Sequence, residues 1–287
     1  MQELKRYHPF VVTVFVFTLM AWDTLVSHPL IHLMILILSW MYLLEFPKIS
    51  LGKVIGGNLI LMALTMLSNP LFQHRGIYIL FTIWDTPITL ESLAFGVDLG
   101  CMLSGILNLF RIYSHMVHTD QILYMITRIS PNAAILCSLS ISQMSRLQRQ
   151  YQDIHTARGL MIQPTGIGGR IKENMAQISM LITWLMETSV ETSLSMRSRG
   201  YGDRKRSCYA KYQMERRDRW FLLFETVIIV VSVYASYGFS FWWYPTFYME
   251  LQMVQAVLFC VSVLLFAMVP LFLKGKESVL WDNIESI

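Results

Sequence analysis

Six apolar runs, each close to the length of a membrane span, dominate this 287-residue chain. A helix that crosses a bilayer needs about 20 mostly apolar residues, because no water is present there to satisfy the backbone. Only 15% of the residues are charged, whereas soluble domains usually have about 25%. The sequence therefore predicts an all-α polytopic membrane protein with about six transmembrane helices. The predicted spans are residues 10–26, 30–44, 54–72, 93–113, 220–239 and 251–273.

A seventh apolar stretch, residues 77–84, is too short to cross a bilayer and is followed by Asp85 and Pro87. It favours a re-entrant or interfacial segment on the outer side of the membrane. Aromatic residues at Trp242, Trp243 and Tyr244 are typical of the membrane–water interface.

Basic residues indicate which side of the membrane the polar segments occupy. Residues 119–219 contain 15 Lys and Arg against 8 Asp and Glu, a net charge of +7, whereas the whole chain has +4. Positive charge collects on the cytoplasmic side, so this block is predicted to be cytoplasmic. With six crossings, the basic residues near both ends fall on the same side, and both termini are predicted to be cytoplasmic. The predicted organisation has three parts. Residues 1–118 contain about four spans, residues 119–219 form the cytoplasmic region, and residues 220–287 form a last hairpin of two spans and a short cytoplasmic tail.

Apolar residues recur at helical spacing twice within the basic block, from residue 131 and again from residue 175. A glycine-rich segment, residues 164–169, separates the two runs and predicts a break between helices. We expect a long amphipathic hairpin that lies on or partly within the membrane, and not two further spans. Nucleic-acid binding is less favoured, because the arginines fall within amphipathic helices and not in a compact basic domain.

Two short Arg-Gly motifs occur in this hairpin, 41 residues apart, and both are expected at a helix end. The first consists of Ala157, Arg158 and Gly159, and the second of Ser198, Arg199 and Gly200. Glycine after a helix and a cation near its end are ordinary capping features, which is one interpretation of each motif. The other is docking, because guanidinium groups pair with carboxylates through two parallel hydrogen bonds. Two such tips could each enter a groove on one copy of a dimeric partner.

Several stretches resemble the transmembrane T component of energy-coupling factor (ECF) transporters, the EcfT/CbiQ-like family. Residues 69–76 and 87–91 are similar to an outer-side stretch of the vitamin-type members. Residues 142–146 resemble the segment before the family's first Arg-Gly motif, and residues 191–202 resemble its second motif and surroundings. Ser198 departs from the alanine that the family usually has there.

This resemblance implies a coupling subunit that is not itself an enzyme. Its implied partners are two ATP-binding-cassette (ABC) ATPases, a small substrate-binding membrane subunit (the S component) and the lipid bilayer, with no nucleic acid. The implied role is vitamin or trace-metal uptake across a bacterial or archaeal plasma membrane. Arg158 and Arg199 would contact the ATPases, while Ala157, Gly159, Ser198 and Gly200 shape the tips. The alternative is a conventional ABC permease with its own substrate pathway.

No metal site or cofactor is predicted. The chain has no GxxxxGK[ST] phosphate loop, no HExxH and no GxSxG motif. Two groups of residues, His115 with His118 and Asp23 with His28 and His32, are weak candidates for a metal, and Asp98 is an ionisable residue within a predicted span. The four cysteines, Cys101, Cys137, Cys208 and Cys260, show no metal or disulfide spacing. A membrane-embedded enzyme that uses Glu187 and Glu191 is a further alternative without a recognisable catalytic spacing.

Overall fold

A computed structural model describes residues 7–46, 50–73, 76–83, 86–161, 166–202, 212, 214–237, 239–244, 248–251 and 254–269. This part of the chain is nearly all helical. The helices are α1 (Pro9–Leu25), α2 (Pro29–Leu44), α3 (Leu51–Phe72), α4 (Leu90–Met116), α5 (Thr119–Ile129), α6 (Pro131–Met161), α7 (Gly166–Ser198), α8 (Arg216–Ser236) and α9 (Val254–Val269).

Each predicted span coincides with a helix, namely α1 to α4, α8 and α9. Among the described residues, three helices are long and apolar enough to cross a membrane: α3, α4 and α8. Helices α1, α2 and α9 are apolar but shorter, with 17 residues in α1 and 16 in α2. Helices α6 and α7 are the longest described helices, with 31 and 33 residues. They are not among the three helices that are apolar enough to cross a membrane. The structure is that of a helical membrane protein.

The described residues are nearly all helical, in agreement with the all-α prediction, and two small β-hairpins accompany the helices. The predicted interfacial segment contains β1 (Ile79–Ile83), which pairs antiparallel with β2 (Thr86–Thr89). A second pair, β3 (Phe239–Trp242) and β4 (Tyr248–Leu251), lies between the last two predicted spans and shares only Phe239 and Leu251 with them. These segments are rich in β-branched and aromatic residues, which fit a pleated strand, and pairing satisfies backbone groups that a short apolar run leaves open.

Histidine followed by proline begins both of the first two helices. The Nδ1 atom of His8 accepts a hydrogen bond from the backbone N–H of Phe10 at 3.2 Å. His28 does the same for Leu30 at 3.3 Å. Proline at the first helical position has a preset φ and lacks an N–H that would remain unsatisfied there. His28 is thus a helix cap, and not a member of the metal group considered above.

Helix α4 contacts α1, α2 and α3. Two glycines allow its backbone to approach α3 closely. A Cβ on Gly96 would lie 2.8 Å from the Cα of Met66, and one on Gly100 would lie 2.7 Å from the Cα of Met62. Small residues four apart are a common means of close helix packing in membranes.

The chain divides into two compact units. The first is Met1–Gln121 with Tyr212–Ile287, and contains α1 to α4, α8, α9 and both β-hairpins. The second is Ile122–Lys211, and contains α6, α7 and most of α5.

Candidate functional site

Helices α6 and α7 form an antiparallel hairpin, as three contacts along its length show. Near the connection, Arg158 of α6 pairs with Glu173 of α7, and His155 lies 3.2 Å from Gln177. At the other end, a cavity of about 340 Å³ is lined by the beginning of α6 and the last part of α7, including Leu139, Gln143, Met196 and Tyr201. The hairpin that the sequence predicts is therefore present.

Helix α7 begins earlier than the sequence predicts. Helix α7 already begins at Gly166, which has a φ of 76°. Gly168 and Gly169 therefore lie within the helix, and residues 162–165 lie outside the described part of the chain. A glycine in a helix costs about 1 kcal/mol relative to alanine, which neighbouring helical residues can offset.

The first Arg-Gly motif is not a helix cap. The prediction that each of the two helices ends at an Arg-Gly motif is therefore wrong for α6. Helix α6 continues beyond Arg158 and Gly159 to Met161. Gly159 is not among the positive-φ glycines of the described residues, and a Cβ there would meet open space. Ala157 is exposed beside it. The motif is thus a turn of helix in which Ala157 and Gly159 are exposed and Arg158 is partly buried.

Arg158 is engaged within the hairpin. Its Nη2 donates a hydrogen bond to Glu173 Oε2 at 2.7 Å, and its Nε donates to Glu173 Oε1. The pair is bidentate, the strongest geometry for a guanidinium and a carboxylate. The Arg158 hydrogen bonds, with a further one from Gln177, lower the pKa of Glu173 to about 2, and the same pairing raises the pKa of Arg158. Both groups therefore stay charged throughout the physiological pH range.

The second Arg-Gly motif is a complete Schellman cap. Gly200 has a φ of 78°, and its N–H donates to the carbonyl of Arg197 at 2.9 Å, while the N–H of Tyr201 donates to the carbonyl of Met196 at 3.0 Å. Glycine is favoured at this position because it adopts positive φ without a steric cost. Ser198, Arg199 and Gly200 are all exposed. Within the described residues, the Arg199 guanidinium forms no hydrogen bond or ion pair.

A continuous apolar stripe runs along α7 and is left uncovered. Its members recur every three or four residues and are 48% to 66% exposed: Met175, Ile178, Ile182, Met186, Val190 and Leu194. Apolar stripes of this length on a helix indicate a surface that lipid or a partner protein covers.

No family model and no curated protein matches the chain.

Two of the other ionisable candidates, His32 and Asp98, pair with each other. His32 of α2 and Asp98 of α4 are both buried, and the His32 Nδ1 atom lies 2.8 Å from Asp98 Oδ1. Asp98 thus joins two helices, which explains an ionisable residue within a span. Asp23 is also fully buried, with its carboxylate over Gly105. Among the described residues, no group of three or more His, Cys, Asp or Glu side chains is arranged to hold a metal ion.

The remaining candidates are not brought together. His115 stacks on Phe46 with ring centroids 5.8 Å apart, whereas His118 is exposed. Glu187 and Glu191 are exposed on α7. The described cysteines, Cys101, Cys137 and Cys260, are free thiols, and Cys208 lies outside the described residues.

Residues 76–78 lie against residues 89–91, close to the first β-hairpin. The Glu91 Oε1 atom accepts hydrogen bonds from the backbone N–H groups of Ile77 and Tyr78, each at 3.2 Å. A Cβ on Gly76 would lie 2.6 Å from Glu91 Oε2 and 2.7 Å from the hydroxyl of Thr89. Glycine is required at position 76 by this close approach.

Sequence reasoning missed the three residues that surround Arg158. Glu173, Gln177 and His155 form a chain of hydrogen bonds that joins α6 to α7. Glu173 and Gln177 lie one helical turn apart, which is the only local signal of a shared role. Their pairing with Arg158 depends on the register of the hairpin.

Proposed function

We propose that the chain is the transmembrane coupling subunit of an ECF-type ABC uptake transporter. In this role it spans a bacterial or archaeal plasma membrane six times, with both termini in the cytoplasm. It binds two ABC ATPases and transmits their motion to a separate substrate-binding membrane subunit for vitamin or trace-metal import. The chain itself catalyses no reaction and binds no cofactor.

The observation that carries this proposal is the position of the two Arg-Gly motifs at opposite ends of the hairpin. Arg158 lies opposite Glu173, near the beginning of α7, and Arg199 follows the end of α7. A helix rises 1.5 Å per residue, so roughly 40 Å separates these two points. A small domain is about 30 Å across, so two neighbouring subunits, each with one groove, fit this spacing better than a single subunit does.

The hairpin also suits the transmission of motion. Helices α6 and α7 are continuous over 31 and 33 residues, so a displacement at one end is carried along the element. The exposed stripe on α7 includes Met175 and Met186, and methionine-containing surfaces repack readily against partners that bind and leave. We assign this stripe to the substrate-binding subunit and the surrounding lipid.

A conventional ABC permease remains the alternative function. It would dock the same ATPases but would contain its own substrate pathway and need no small membrane subunit. The two docking points and the long uncovered stripe favour a coupling subunit over this alternative, because the stripe gives a second partner a place to bind.

Replacement of both docking arginines tests the proposal. Arg158→Ala and Arg199→Ala each remove one guanidinium fork, and each should weaken ATPase binding by about ten-fold or more. The double variant should no longer co-purify with the ATPases and should abolish uptake. Arg170→Ala is the matched control, since Arg170 is an exposed arginine of the same hairpin. Normal co-purification and uptake by the double variant would refute the proposal.

A further inference from the structure

The two docking arginines differ in whether their side chains are already engaged. The Nε and Nη2 atoms of Arg158 both donate hydrogen bonds to Glu173. A third donor, Nη1, lies 3.9 Å from the sulfur of Met180, which is also on α7. The Arg199 guanidinium is exposed and has no such partner among the described residues. Arg158 is therefore paired with a carboxylate of the chain itself, and we call it the closed docking tip. Arg199 is exposed, and we call it the open docking tip.

The Glu173 carboxylate is held in position for this role. Gln177 donates a hydrogen bond to Glu173 Oε1 at 3.2 Å, and its own amide oxygen lies 3.2 Å from His155 Nδ1 on α6. These contacts hold the carboxylate opposite Arg158 and hold the two helices in register. Arg158 thus meets the kind of group that an acidic docking groove would present, in the same bidentate geometry.

A carboxylate from a partner must compete with Glu173 for the same two donors. The side chains of Arg158 and Glu173 remain 19% and 11% exposed, so the pair lies at the surface of the hairpin, where a partner can reach it. A partner carboxylate that takes the place of Glu173 can make the same two charge-assisted hydrogen bonds, so the exchange costs little free energy. Docking at Arg158 then includes a displacement step, and docking at Arg199 does not.

We propose that Glu173 closes the Arg158 docking tip in the free subunit, and that an acidic group of one ATPase displaces it on binding. This inference rests on the proposed function, because it concerns the same docking site. The Arg199 tip binds its ATPase directly, so the two equivalent partners meet two inequivalent tips. Glu173 is a gating residue that acts through Arg158.

Glu173→Gln tests the proposal, because it retains the shape and the hydrogen bond with Gln177 but removes the charge that holds Arg158. The full chain, reconstituted in lipid nanodiscs, is titrated with the ATPase subunits that co-purify with it. We expect Glu173→Gln to bind them about two- to five-fold more tightly than the unmodified chain. In an Arg158→Ala background the same substitution should change nothing, because the gated group is absent. Glu187→Gln is the matched control, an exposed glutamate on the same helix.

The sign of the effect separates gating from a structural role. If the Arg158–Glu173 pair only holds the hairpin together, Glu173→Gln will lower both the affinity and the thermal midpoint, and an unchanged or lowered affinity overturns the gate. The failure of the proposed function is a different result: Arg158→Ala and Arg199→Ala would then bind the ATPases as the unmodified chain does. Weaker binding by these arginine variants, with no gain for Glu173→Gln, overturns the gate alone.

Discussion

At the scale of single residues, one buried pair joins two helices of the bundle. His32 and Asp98 are less than 10% exposed and lie 2.8 Å apart, one on α2 and the other on α4. Removal of one member of such a pair leaves the other buried and uncompensated, which costs far more than the pair itself contributes. The pair therefore matters for helix packing without being a metal site.

His32→Ala should lower the free energy of unfolding by about 3 kcal/mol or more. The physical reason is that Asp98 then stays buried without its partner. The measurement is the thermal or denaturant midpoint in detergent, with exposed His118→Ala as the control, which should have no effect. The double variant His32→Leu with Asp98→Leu should be less destabilised than either single alanine variant, because no charge is left unpaired. Equal stability of His32→Ala and the control would show that the pair is not formed.

At the scale of helices, close approach of α3 and α4 depends on glycine. Gly100 faces the backbone of Met62, and a Cβ there would lie 2.7 Å from its Cα. Gly57 of α3 has nothing within 4 Å of the corresponding Cβ position. The two glycines lie in helices and differ in whether a neighbour is near, which makes them a matched pair.

Gly100→Ala should destabilise the protein by about 1 to 3 kcal/mol, because the helices must move apart. Gly57→Ala should be neutral or slightly stabilising, since alanine favours a helix more than glycine does. Unfolding in detergent, followed by circular dichroism, measures both. Destabilisation of equal size in the two variants would contradict the packing described here.

The positions of the helices were predictable from sequence, whereas their ends and pairings were not. Apolar runs locate α1 to α4, α8 and α9, because lipid demands long apolar segments. The strands at Ile79–Ile83 and Phe239–Trp242 were missed, because short apolar runs do not distinguish a strand from the end of a helix. The end of α6 was misplaced by a glycine that the helix tolerates.

The sequence predicts the two Arg-Gly motifs of the candidate site, but it does not predict the partner of Arg158. Both Arg-Gly motifs are visible in the sequence, and the cap at Gly200 follows from the left-handed backbone that glycine allows. The pairing of Arg158 with Glu173 depends on the register of α6 against α7, which the sequence does not reveal. Because α7 begins at Gly166 and not after Gly169, spacing alone could not bring these two residues together.

At the scale of the whole molecule, the chain combines a helical membrane bundle with a separate compact unit that contains the hairpin. The hairpin has one closed and one open arginine tip and a long uncovered apolar stripe. The exposed Arg199 and the apolar stripe suit a subunit that works in an assembly, because both leave groups for a partner to engage or cover.

The mass of the assembly purified through this chain tests the central claim most directly. Native mass spectrometry of the complex, released from mild detergent, should show one copy of this chain with two ATPase subunits and one small membrane subunit. The same preparation from the Arg158→Ala and Arg199→Ala double variant should have lost the ATPases. The chain with two ATPases and no small membrane subunit would indicate a conventional permease, and the chain without ATPases would contradict the account altogether.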